Sequence, residues 1–144
     1  MKRKICVVVN SRANYGRIKS FLKAAKESEK LDLFIVAGAS ALLHRFGEVV
    51  KEMERDGFSP NFIMHSSVEG KGLSPMAKTT GLSIIEMATI LENSKPDIVL
   101  TVADRYETFA FVVAASQMNI PIAHCEGGDV TEGGTFDDSI RQEM

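Results

Sequence analysis

The sequence predicts an α/β protein: a Rossmann-like parallel sheet with helices on both faces. Three observations predict it. Short runs rich in β-branched residues recur along the chain. Each is followed by a segment with apolar residues at helical spacing. Neither repeats nor an internal boundary interrupt the alternation, so residues 1–144 read as a single domain. Alternating strands and helices imply parallel pairing through right-handed crossovers. The expected strand order is 3-2-1-4-5, with a topological switch between the first and fourth strands.

The elements follow in order. "KICVVVN" (4–10) reads as a buried strand, and "SRANYGRIKSFLKAAKES" as a helix with Ile18, Phe21, Leu22 and Ala25 on its apolar face. "LDLFIVAG" (31–38) is the second strand. "SALLHRFGEVVKEMERDG" is helical in part, with Phe46, Val49, Val50 and Met53 on one face and Gly57 as its stop. "FSPNFIMH" is a weaker third strand. Residues 66–81, polar with three glycines and a proline, read as a mobile loop bordering the cleft, with room for a short helical turn. "LSIIEMATILENS" is a helix, "KPDIVLTVA" the fourth strand, "DRYETFAFVVAASQMN" a helix apolar almost all round, and "IPIAHC" the fifth strand.

Composition narrows the function classes. With 44% hydrophobic and 25% charged residues the chain is of globular type. A net charge of -2 gives no electrostatic reason for nucleic-acid or membrane binding. No apolar run reaches the length of a membrane span, and the N-terminus is too short and strand-like for a signal peptide, so a cytoplasmic location is expected. The two cysteines, Cys6 and Cys125, fall on strands separated by another strand. That is roughly 9–10 Å at two strand spacings, too far for a disulfide.

Ligands of such sheets bind outside the carboxyl ends of the strands, at the switch. "NSRANYG", "ADRYET" and "HCEGGDVTEGG" follow strands one, four and five and are expected to converge on one crevice. Asp104 ends a strand and opens a helix. It can cap free N–H groups or do acid–base work. Arg105 can pin that acid or face an anion. Glu126 leaves strand five ahead of Gly127 and Gly128, and a carboxylate desolvated on such a turn can serve as an acid or base. Between 125 and 139 lie five carboxylates. Asp129 and Glu132 read as solvated charges, while Asp137 and Asp138 precede a helical start where one caps and the other can point back to the crevice. Arg141 can pair with either acid. Arg12, beside the first free N–H groups of a helix, suits a phosphate or diphosphate, although the stretch is not a G-x-G-x-x-G loop. No carboxylate spacing matches a calcium loop and the histidines share no ligand spacing, so neither a metal nor another cofactor is expected. His124 reads as a satisfied core histidine.

"SRANYG", "FGEVVKEMERDGF", "KPDIVLTVADRYET", "NIPIAHCEGGDVTEG" and "DDSIR" resemble, in order and spacing, the hydrolysing UDP-N-acetylglucosamine 2-epimerases of sialic- and legionaminic-acid pathways. The resemblance implies the N-terminal half of a GT-B fold, with the second, UDP-binding domain absent from this chain. It implies conversion of UDP-N-acetylglucosamine, or a 2,4-diacetamido relative, to UDP and the 2-epimeric free sugar (such as N-acetylmannosamine) through a glycal. By motif, Asp104, Glu126 and Asp137 correspond to the family's essential carboxylates. Arg12, Arg105, Asp138 and Arg141 are the expected substrate-binding residues.

Three positions depart from the family pattern. Asn14 replaces an aspartate, Ser40 stands near a common histidine, and Ala103 replaces the glycine before Asp104. Because most uridine diphosphate contacts in that family come from the second domain, little or no turnover is expected of this chain alone. The expected partners are a UDP-sugar and either a second copy or the missing C-terminal half, since an exposed partner-facing surface favours self-association. The opposing expectation is a non-catalytic nucleotide-sugar binding or interaction module.

Overall fold

A computed structural model describes residues 1–44, 47–103 and 105–127. Five strands, β1 (Arg3–Val9), β2 (Leu31–Gly38), β3 (Phe62–Met64), β4 (Ile98–Val102) and β5 (Ile122–Cys125), alternate with helices α1 (Arg12–Glu27), α2 (Val49–Arg55), α3 (Ser74–Ser94) and α4 (Tyr106–Gln117). All neighbours pair in parallel, in the order β3-β2-β1-β4-β5. The expected order and switch point are therefore the observed ones.

The alternation along β1 divides the core in two. Ile5, Val7 and Val9 join Tyr15, Ile18 and Leu22 of α1 and Val49 and Met53 of α2 on one face. Cys6 and Val8 join Met87, Ile90 and Leu91 of α3 and Phe111, Ala114 and Ala115 of α4 on the other. A central strand buried on both faces reads as a continuous apolar run, which is why "ICVVV" shows no polar alternation. Both cysteines are free, Cys6 buried and Cys125 exposed. Burial pushes the Cys6 thiol up to about 12.

Local signals account for several boundaries. The Ser11 hydroxyl caps α1 by accepting the Asn14 N–H at 3.2 Å. Gly57 stops α2 as expected: at φ +87 it turns the chain left-handed, and the Phe58 N–H reaches back to the Met53 carbonyl at 2.8 Å. Val49 and Met53 are buried on α2, while Phe46 lies outside the described residues.

One expectation needs correction. Residues 66–81 are not a loop throughout, because α3 begins at Ser74. Pro75 sits in the first turn, where its missing N–H costs nothing, so it marks a start. The Val68 N–H donates to Thr79 Oγ1 at 2.8 Å, and the Ser66 and Ser83 hydroxyls meet at 2.7 Å, tying the preceding strand of chain onto the helix.

Candidate active site

The carboxyl ends of β1, β2 and β4 open into a cleft of about 740 Å³. Ser11, Arg12, Asn14 and Arg17 line it from the start of α1, Ser40 and Leu43 from the segment after β2, and Ala103, Arg105, Tyr106 and Glu107 from the β4–α4 junction. Residues 67–70 with Pro75, Met76 and Thr79 form the remaining wall. The cleft thus lies at the predicted end of the sheet. Among the described residues, its third and fourth sides come from the segments after β2 and β3; the stretch after Gly127 lies outside them.

Backbone turns shape its floor. Ala103 leaves β4 at φ +65 while its N–H donates to the Cys125 carbonyl at 3.1 Å. Asn14 is buried with its amide used at both ends: Oδ1 accepts the Asn10 N–H at 3.2 Å and Nδ2 donates to the Val102 carbonyl at 3.3 Å. An asparagine can do both, whereas an ionised aspartate accepts only. Ser40 Oγ donates to the Asn10 carbonyl at 2.8 Å, joining the β1 and β2 ends.

The candidate residues fare differently. Arg12 lines the cleft in an exposed position, 3.9 Å from Glu52 of α2. Arg105 lines it half-buried; its Nε and Nη2 donate to the two carboxylate oxygens of Glu107 at 3.0 and 3.1 Å. That pairing holds the guanidinium above its ordinary range, against the opposing effect of burial. Burial, then the Glu107 charge, pushes the Tyr106 phenol up.

Glu126 turns off β5 at φ +65 and pairs with Arg17 Nη1 at 2.6 Å. It is exposed rather than desolvated, and among the described residues it meets the cleft through Arg17. Among the described residues β5 is the edge strand of the sheet, and Cys125, Glu126 and Gly127 are all exposed. Asp104, Asp137, Asp138 and Arg141, with Asp129 and Glu132, lie outside the described residues. His124 is only half satisfied. Nδ1 shares a hydrogen bond with Thr101 Oγ1 at 2.8 Å, while the buried Nε2 has no partner among the described residues. Burial lowers its pKa, with the Glu126 charge opposing.

Sequence reasoning missed Arg17 and Glu107. Nothing in a run of spaced lysines and arginines along α1 singles out Arg17. Glu107 did carry a signal: on a helix apolar almost all round, an acid in the first turn must be buried and needs a partner. Among the described residues no three His, Cys, Asp or Glu side chains cluster as metal ligands would.

The sequence profile of the UDP-N-acetylglucosamine 2-epimerases matches residues 23–144. The chain belongs to this family. It is 36% identical over 141 residues to the UDP-N,N'-diacetylbacillosamine 2-epimerase (hydrolyzing) of Legionella pneumophila, covering 98% of this chain and 37% of that relative. To the GDP/UDP-N,N'-diacetylbacillosamine 2-epimerase (hydrolyzing) of Campylobacter jejuni it is 31% identical, with 99% and 37% covered. The chain thus spans little more than a third of the curated relatives it matches, which fits the N-terminal domain of such an epimerase. Among solved structures, the fold resembles a UDP-N-acetylglucosamine 2-epimerase at TM-score 0.85 and 20% identity, covering 100% of this chain and 39% of that one. It also resembles the UDP-GlcNAc 2-epimerase of Neisseria meningitidis bound to UDP-GlcNAc at TM-score 0.81 and 20% identity, with 96% and 37% covered. The Rossmann-like half of a GT-B epimerase is therefore the observed architecture. No helix among the described residues is long and apolar enough to cross a membrane.

Proposed function

We propose that the chain is the acid–base half of a hydrolysing 2-epimerase for a UDP-linked amino sugar, with a 2,4-diacetamido sugar as the favoured substrate. The observation that carries the reading is the cleft itself. Arg12, Arg17 and Arg105 line one opening at the strand ends, and Glu126 stands on Arg17 at its rim. Three guanidinium groups suit a diphosphate leaving group, and a carboxylate beside them suits proton transfer at the sugar. The names of the Legionella and Campylobacter relatives support the diacetamido preference.

The reaction needs these parts. A carboxylate takes the proton from C2 as the C1–O bond breaks, its electron pair leaves with UDP, and a C1–C2 double bond forms. Water then gives its hydroxyl to C1, and a proton returns to C2 on the opposite face. Leaving and returning protons on two faces require more than one ionisable group. Glu126, Asp104 and Asp137 are the groups assigned to this work, with Arg12 and Arg105 on the diphosphate and Asp138 and Arg141 supporting the sugar side. Residues of a second, UDP-binding domain complete the hold on the leaving group.

The test follows UDP release and C2 configuration by NMR, with UDP-N-acetylglucosamine and its diacetamido counterpart as substrates. The 144-residue chain alone is expected to release no UDP. Complemented with the C-terminal part of a hydrolysing relative, it is expected to release UDP with inversion at C2, at least about a hundredfold less in Glu126→Gln. A folded, complemented protein that binds UDP-sugar without releasing UDP is a binding module instead.

A further inference from the structure

We propose that Glu107 is a positioning residue: it fixes the Arg105 guanidinium so that the remaining donors of that group meet the diphosphate of a ligand in the cleft. The inference rests on the function proposed above and extends it to a residue that touches no substrate.

Glu107 is an unusual side chain for its place. It lies in the first turn of α4, a helix whose neighbours Ala110, Phe111, Ala114 and Ala115 are buried, and its own side chain is 3% exposed against 44% for Arg105. A carboxylate is not withdrawn from water without compensation. Here the compensation is a two-pronged pairing, Nε to Oε2 at 3.0 Å and Nη2 to Oε1 at 3.1 Å. An apolar residue of similar size would pack in a buried site at least as well as an ion pair. Stability alone therefore does not explain why the acid is there.

Geometry supplies the reason. A guanidinium has five N–H donors in one plane; Glu107 engages two, so up to three are left for a ligand. The Tyr106 ring lies 5.8 Å from Arg105 Cζ and holds the plane from a second direction. The free N–H groups of the first turn favour the carboxylate where it sits. Arg105, Tyr106 and Glu107 all line the cleft. A guanidinium already locked by carboxylate and ring loses little freedom when an anion arrives, whereas a free arginine loses several rotatable bonds. A lysine at 105 could not share this fork.

The experiment uses the 144-residue chain with Glu107→Gln, Glu107→Met, Arg105→Met and the Glu107→Gln/Arg105→Met double variant. Titration calorimetry measures inorganic pyrophosphate and UDP, and ¹⁵N NMR follows the Arg105 Nε–H. Glu107→Gln is expected to weaken pyrophosphate binding about tenfold, with the Nε–H signal moving to fast solvent exchange. Arg105→Met should weaken it as much, and the double variant no further, because one residue acts through the other. Should Glu107→Gln unfold, Glu107→Met keeps the packing and is expected to show the same loss. Wild-type affinity in a folded Glu107 variant, or losses that add in the double variant, overturns the inference alone. A wild-type chain that binds neither pyrophosphate nor UDP overturns the assignment of the Arg105 donors to a diphosphate, while UDP release by the complemented protein remains the test of the proposed function. The Nε–H then decides the positioning role: protection lost in Glu107→Gln keeps it, and unchanged exchange overturns it.

Discussion

Ala103 closes β4 at φ +65, a conformation that costs an L-residue roughly 1–2 kcal/mol and that glycine adopts freely. The departure from the family's glycine, noted in the sequence, thus has a physical counterpart in the structure. Ala103→Gly is expected to stabilise the protein by about 0.5 kcal/mol, since relieved strain exceeds the lost methyl packing and the added unfolded-state entropy. Thermal unfolding should show a rise of about 1–2 °C; a fall would mean that the methyl group is needed in the core. Asn14 illustrates the opposite case. Its replacement of an acid is matched by a carbonyl partner, Val102, that only a donor can satisfy. The candidate site was partly legible at this scale. Arg12 and Arg105 were found from their places after strands, and both line the cleft. Glu126 was found too, but its exposure and its Arg17 partner were not, because the ion pair joins residues far apart in the chain.

Among the elements, α1 and α2 are joined by a polar clasp at the end of α2. The Tyr15 hydroxyl donates to Asp56 Oδ2 at 2.6 Å, and Lys19 Nζ approaches the same oxygen at 2.5 Å. Hydrogen bonds from Lys19, then Tyr15, hold the Asp56 carboxyl below its usual range. A folded value below the unfolded one, about 3.9, means that Asp56 contributes stability above that pH and loses it as pH falls through the folded value. Asp56→Asn should therefore be less stable than wild type at pH 7, by a margin that is smaller near about pH 2. Urea unfolding at both values checks this, and a pH-independent difference would assign the loss to packing. Among the described residues the main strands and helices were legible in existence and type, because the two have different hydrophobic periods. The start of α3 was not. Its first turns carry the glycines and proline of a loop, and only the anchoring of 66–68 to Thr79 and Ser83 makes them a wall of the cleft.

For the whole molecule, the central strand offers a built-in reporter. Cys6 is completely buried on β1, and its thiol is pushed up to about 12, while Cys125 is exposed at the end of β5. A thiol reagent is expected to modify Cys125 at once and Cys6 only on global unfolding, slower by at least about a thousandfold under native conditions. Labelling followed by mass spectrometry at rising urea tests this. Early modification of Cys6 would show that the sheet opens between β1 and a neighbour without global unfolding.

Composition and periodicity by themselves determined the alternation of strands and helices and the two-sided core it implies. These follow from side-chain patterns repeated every two or 3.6 residues, which are local properties of the chain. The motif order likewise pointed to the epimerase family that the profile match then showed. Tertiary structure alone decided the walls of the cleft, the extra turns of α3, the Arg17–Glu126 pair and the fork between Arg105 and Glu107. Each depends on which side chains the fold brings within hydrogen-bond reach and which it takes out of water, and neither distance nor desolvation is written in the spacing of residues along the chain.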